Sequence, residues 1–151
     1  MLLVWVLAFI ALGFSAILYQ TTHTPVTQTQ SPSRSTVRVG SAEVMAEVAD
    51  TLALQVRGLS GRSSLAEGQG MLFVFESEGT HGIWMKDMRF AIDIIWATSD
   101  GTIITITEHV SPDTYPQSFY ASEPTARYVL EVGAGFVVRH GIAVGDKVVV
   151  Q

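Results

Sequence analysis

Six side chains stand where a chain otherwise built for packing has little use for charge or for a large ring. They are Arg57, Arg62, Trp84, Lys86, Asp93 and Glu131. Asp93 lies inside "FAIDIIW", flanked by isoleucines, and Glu131 lies inside "YVLEV". A carboxylate taken out of water needs a cation or hydrogen-bond donors, or it takes up a proton instead. The bases that could meet these acids are Lys86, Arg57, Arg62 and Arg127. Arg57 and Arg62 flank the turn at Gly58, and the planar guanidinium suits two-point pairing with a carboxylate. Lys86 follows Trp84 by two residues. On a strand over 82–88 the two would share a face, with the ammonium lying across the indole. Such a pair can hold an anionic or planar ligand, or the lysine stem can simply cover the ring while its head reaches water. The set is therefore either an ion-pair network that fixes loop geometry or the lining of a ligand pocket.

Motifs for catalysis are absent. No nucleophile elbow, phosphate-binding loop or zinc-protease helix occurs, and Gly68-Gln69-Gly70 lacks the third glycine and the helix of a dinucleotide site. No catalytic residue, metal ligand set or cofactor is assigned. A hydrolase-like enzyme using Asp93, Glu131 or His109 would require those groups to converge in one cleft. A soft-metal carrier would use His81 with Met85 and Met88, because thioether and imidazole suit Cu(I). On a regular strand, however, Met85 and Met88 face opposite ways. Tyr115, Phe119 and Tyr120 offer another chemistry, since rings on a β scaffold stack on sugars and peptides or cap the end of a sandwich.

The elements that must position these residues are short. "VRV", Gly40-Ser41 and "AEVMAEVA" form a hairpin, and Val44, Ala46 and Val48 share one face of its second arm. Asp50 is the expected cap of a short helix with Leu52, Val56 and Leu59 at helical spacing. Met71 to Phe75 is apolar at every position, as in a strand covered on both faces. Phe90 to Ala97 and "TIITITEH" flank an Asp100-Gly101 turn, a hairpin signal. A further strand over "ARYVLEV", a helical turn within 133–141 and a last strand over 147–150 follow. The fold expected is mainly β, a compact sandwich or barrel of about seven short strands with two short helices, rather than repeated βαβ units.

In a chain of 151 residues, 48% of them hydrophobic, this domain spans 37–151 and has enough apolar surface for a core. The net charge of −5 and the scattered bases exclude the basic face that nucleic acid requires. With no cysteine there are no disulfides, thiolate metal sites or cysteine nucleophiles, and with no asparagine there is no N-glycosylation acceptor.

Residues 1–19, "MLLVWVLAFIALGFSAILY", carry no charged side chain. As a helix they reach roughly 28 Å, close to the ~30 Å of a hydrocarbon core. No base precedes them, so an uncleaved transmembrane anchor fits better than a cleaved signal segment, which would leave the domain secreted. Residues 20–36 are rich in Thr, Ser, Gln and Pro, a composition that cannot offset the entropy of ordering, and they are expected to be a flexible linker. The polar, uncharged linker suggests a single-pass protein with its domain outside the cytoplasm.

Four stretches, "RGLSGRSSLAEGQGMLFVF", "IWMKDMRFAIDIIW", "YVLEV" and "GIAVGDKV", occur in an order that resembles the bacterial and archaeal domain-of-unknown-function 192 family. The resemblance covers about Glu43 to Val150. It implies a small β-rich fold, often secreted or membrane-tethered, with no established activity. That family usually carries Phe-Trp-Met-Lys-Asn-Thr where this chain has Ile83-Trp84-Met85-Lys86-Asp87-Met88, and a proline where Ala91 stands. The function expected is a membrane-tethered, non-enzymatic binding or accessory module of the cell envelope. Its partners would be the membrane and a small-molecule, sugar or protein ligand met around Trp84, Lys86 and the loop over 111–124.

Overall fold

The structure, a computed structural model, describes residues 31–121 and 125–151. The expected anchor over 1–19 and most of the linker lie outside the described residues. Among the described residues no helix is long and apolar enough to cross a membrane.

The elements run β1 (Ser33–Val39), β2 (Ala42–Ala49), α1 (Leu52–Arg57), β3 (Gln69–Gly79), β4 (Ile83–Trp84), β5 (Ile92–Ala97), β6 (Ile103–Val110), a 3-10 turn (Pro112–Thr114), β7 (Ser118–Phe119), β8 (Ala126–Gly133), α2 (Phe136–His140) and β9 (Val148–Val150). Seven strands form one sheet in the order β6-β5-β8-β3-β2-β1-β9, and β4 pairs with β7 in a two-stranded ribbon. The sandwich alternative is thereby set aside, because a single sheet curls until its edges meet. There Thr102 bridges Lys147, the Ile103 N–H donates to the Asp146 carbonyl at 2.8 Å, and the Val148 N–H donates to the Gly101 carbonyl at 2.8 Å. β6 and β9 are not paired along their lengths, so the sheet is a curled half-barrel whose edges touch at this bridge. Gly101, at φ 81°, is required at the seam, because a side chain there would collide with the Val148 carbonyl.

Ser33 to Thr36, which composition places in the linker, pair with Met45 to Val48 and belong to β1. Both expected hairpins form. Unlike them, β2 and β3 pair in parallel, joined through α1, so one βαβ unit sits inside an otherwise antiparallel sheet.

The central strands are buried on both faces. Leu72, Ile95, Leu130 and Val132 point into the curl with Val37, Val39 and Val44, and Phe136 and Val137 of α2 close one end. Met71, Phe73, Ile94, Trp96 and Val129 point outward and are covered by Leu54, Leu59, Ile83 and Met85. This double covering is why Met71 to Phe75 contains no polar residue. Helix α1 departs from expectation. Thr51, not Asp50, caps it, accepting the Leu54 N–H at 3.3 Å. Of its apolar residues Leu54 packs inward, while Leu52 and Val56 face solvent. Six residues make under two turns, so one buried position suffices to seat the helix. Gln55 fastens it further, donating to the Val74 carbonyl at 3.0 Å.

Candidate functional site

The outward face of the sheet places Glu47, Met71 and Glu131 side by side across β2, β3 and β8. Arg62, in the loop after α1, lies over this row. It donates two bonds to Glu47, at 2.9 and 2.7 Å, in the fork geometry that suits a carboxylate. That bond to Arg62 holds the Glu47 carboxyl below its ordinary range, and raises Arg62 in turn. Glu47 was not among the residues singled out from the sequence. The available signal was its place on the outward face of an amphipathic strand.

Glu131 is different. Its residue is 4% exposed, and no hydrogen bond or ion pair from a described residue reaches its carboxyl group. Burial pushes its pKa up to about 8, while the nearby positive charge of Arg62 pulls the other way. At neutral pH the group is therefore held mostly as a carboxylic acid, with a proton to donate. It lines a cavity of about 40 Å³, room for about three water molecules. Arg57, Ser60, Phe73, Trp84 and Met88 are among the other residues that line it.

The segment 82–88 builds the outer lip. It is not one strand: β4 ends at Trp84, and the Met88 N–H donates to the Met85 carbonyl at 3.2 Å to form a turn. Ile83 and Met85 are buried, whereas Trp84 is 44% exposed. Lys86 places its Nζ 6.0 Å from the centre of the Trp84 ring and 3.7 Å from Asp87 Oδ2. It therefore meets no buried acid, and its neighbours are the indole and a surface carboxylate. Tyr115 meets Trp84 edge-on with ring centres 6.3 Å apart. Tyr120 lies against Gly82, where an added methyl group would come within 2.5 Å of its ring.

Asp93 stands apart. It is fully buried, on the inward face, while Glu131 is on the outward one. Its partners are backbone amides rather than Lys86, Arg57, Arg62 or Arg127. Oδ1 accepts the His109 N–H at 2.9 Å and Oδ2 accepts the Val137 N–H at 3.0 Å. The first lies in a bulge of β6, where His109 has φ 53°, and the second in the first turn of α2. Asp93 thus fixes the bulge and seats the helix that closes the curl. The His109 ring is exposed, with Nδ1 4.0 Å from Asp93 Oδ1. Because the two acids lie on opposite faces, the three groups a hydrolase would need do not converge. The soft-metal set is not assembled either. His81 stacks on Phe75 at 3.6 Å and its Nε2 meets the Ser77 carbonyl at 3.0 Å, while Met85 is core. Arg127 keeps a buried Nε without a hydrogen bond among the described residues.

Of the six side chains singled out at first, five therefore gather around one cleft, with Arg57, Trp84 and Glu131 lining it and Arg62 and Lys86 beside it. The family model described as an uncharacterized ACR, domain of unknown function 192, matches residues 35–150. The chain belongs to the domain-of-unknown-function 192 family. Two solved structures are similar to it. One, from Sinorhizobium meliloti 1021 and described as a candidate transcription regulator, is 32% identical with a TM-score of 0.75, over 80% of this chain and 96% of that one. The other, a protein of unknown function from Novosphingobium aromaticivorans DSM 12444, is 31% identical with a TM-score of 0.70, over 83% and 89%. No curated protein matches. Membership in the domain-of-unknown-function 192 family also clarifies position 87, where the family usually has Asn. Asp87 has φ 55°, and Asn and Asp are the side-chain-bearing residues that adopt this conformation most readily. The exchange keeps the turn, whose Asp87 carbonyl accepts the Gly61 N–H at 2.8 Å.

Proposed function

We propose that this protein is a membrane-tethered, non-enzymatic binding module that takes a small molecule in the cleft between Arg57, Trp84 and Glu131. The observation that carries this reading is the carboxyl of Glu131, buried, reached by Arg62 only through space among the described residues, and lining a cavity that opens beside an exposed indole. A buried polar group left unbonded costs about 1–3 kcal/mol, so a fold that keeps one at the bottom of a cleft is suited to have a ligand complete it. The Trp84 and Tyr115 rings supply a flat apolar wall, and a few fixed polar groups beside such a wall are the usual composition of a ligand site. The uncharged apolar stretch over 1–19 supports the tether, and the polar linker supports a domain outside the cytoplasm.

The test is thermal denaturation of the full chain in detergent micelles against a panel of monosaccharides, sugar acids and aromatic acids. A ligand of the folded form raises Tm by mass action. The reading predicts a rise that Trp84→Ala and Glu131→Leu, which removes the polar group altogether, each abolish. A rise that survives both substitutions places the ligand elsewhere and overturns it.

A further inference from the structure

We infer that the group entering the cleft is a carboxylate carried on a ring, accepting a hydrogen bond from the Glu131 carboxyl and lying within reach of the Arg57 charge. The inference rests on the cleft being the ligand site. Three observations lead to it.

The cavity is small. About 40 Å³ admits one functional group and excludes a ring, so the body of the ligand stays at the mouth. The surface there is Trp84 with Tyr115 edge-on to it, which suits a flat face. The cavity thus divides the ligand into an inserted group and a stacked ring.

The charges at the mouth are cationic. The Arg57 side chain makes no ion pair or hydrogen bond among the described residues and reaches Glu47 only through space, whereas Arg62 bonds Glu47 directly and Lys86 has Asp87. A cationic ligand would meet Arg57 and Lys86 as like charges. A neutral one would leave Arg57 without a directly bonded counter-ion. An anion matches the one cation lining the cavity that no carboxylate contacts directly.

The floor offers a proton. Buried among apolar neighbours, Glu131 prefers its neutral form, and an acid O–H donates best to a charged oxygen. The charged group that acts on it is Arg62 from the loop after α1, itself bonded to Glu47 of β2, and Arg57 of α1 lines the same cavity. Its strand neighbours Met71 and Ile94 carry no charge. Loss of the Glu131 proton would put one anion against another, so binding should weaken as pH rises through about 8.

The experiment is calorimetric titration of the full chain in a nonionic detergent with four probes, benzoate and D-glucuronate against benzamide and D-glucose, at about pH 6.5 and about pH 9.5. The paired probes separate an aromatic acid from a sugar acid. At the lower pH, at least one acid is expected to bind about tenfold or more tightly than its neutral counterpart, a margin that Arg57→Ala removes. That acid should weaken about tenfold at the higher pH, and Glu131→Gln, whose amide donates at every pH, should abolish the weakening. Neutral probes binding as well as the acids would overturn the carboxylate inference and leave the cleft reading standing. Silence from all four overturns the inference as well, and the broader denaturation panel then decides the cleft reading. Arg57 is exposed, so its substitution tests the charge without risk to folding.

Discussion

Glu47 and Glu131 stand on the same face of the sheet, one on each side of Met71, and hold opposite protonation states at neutral pH. Arg62 reaches the first with two bonds and the second only through space. That asymmetry sets aside one acid for structure and leaves the other available to a ligand.

Stability should therefore depend on pH in two directions. The folded-state pKa of Glu131 is raised, from an ordinary value of 4.5 to about 8, so the folded chain holds a proton that the unfolded chain releases. Its contribution is fully present below about 4.5 and is lost as pH rises towards 8, on the order of a few kcal/mol. Glu47 is lowered, so its contribution is present above the ordinary range and is lost as pH falls through the acid range. Urea denaturation across pH 5 to 9 should show stability falling towards the alkaline end (about these limits), and Glu131→Gln should flatten that fall.

Arg62→Ala removes the paired bonds to a half-buried Glu47 and should destabilise by about 1–2 kcal/mol. It also removes the positive charge that restrains Glu131, so the titration midpoint of Glu131 should move upward. Carbon-detected NMR of the side-chain carboxyl would follow it. An unchanged midpoint would mean that Arg62 does not act on Glu131.

Asp93→Ala leaves two amide donors, those of His109 and Val137, without acceptors in the interior. The expected loss is about 2–4 kcal/mol by chemical denaturation. Asp93→Asn should recover part of it, since one oxygen remains to accept. Ligand affinity of the folded fraction should not change, because Asp93 lies on the other face of the sheet from the cleft.

Much of this was legible in the sequence. The unbroken apolar run over 71–75 predicts a doubly covered strand because no solvent-facing position remains to be polar. The Asp-Gly step predicts the β5–β6 turn because Gly101 supplies a positive φ. Three features were not legible. The partners of Asp93 are backbone amides, which carry no residue signature. Leu52 and Val56 keep helical spacing, but a helix under two turns seats itself on Leu54 alone. The parallel pairing of β2 with β3 depends on where α1 crosses, and no local pattern encodes that. The cleft itself was half visible, since the odd residues could be named but their convergence on one face depended on register.

Gly101→Ala tests the closure of the curl. A methyl group would meet the Val148 carbonyl at a position whose φ of 81° side chains rarely adopt. The expected loss is about 2–3 kcal/mol, with faster amide exchange along β6 and β9, whose hydrogen bonds would open first. Unchanged exchange there would mean that the seam does not hold the sheet edges together.

The most direct measurement of the central claim is the titration of the Glu131 side-chain carbon by NMR in the full chain, with and without the tighter-binding acid of benzoate and D-glucuronate. A midpoint near 8, moved higher by the ligand because the ligand binds the protonated acid, is the predicted result. A midpoint in the ordinary glutamate range, indifferent to the ligand, would contradict it.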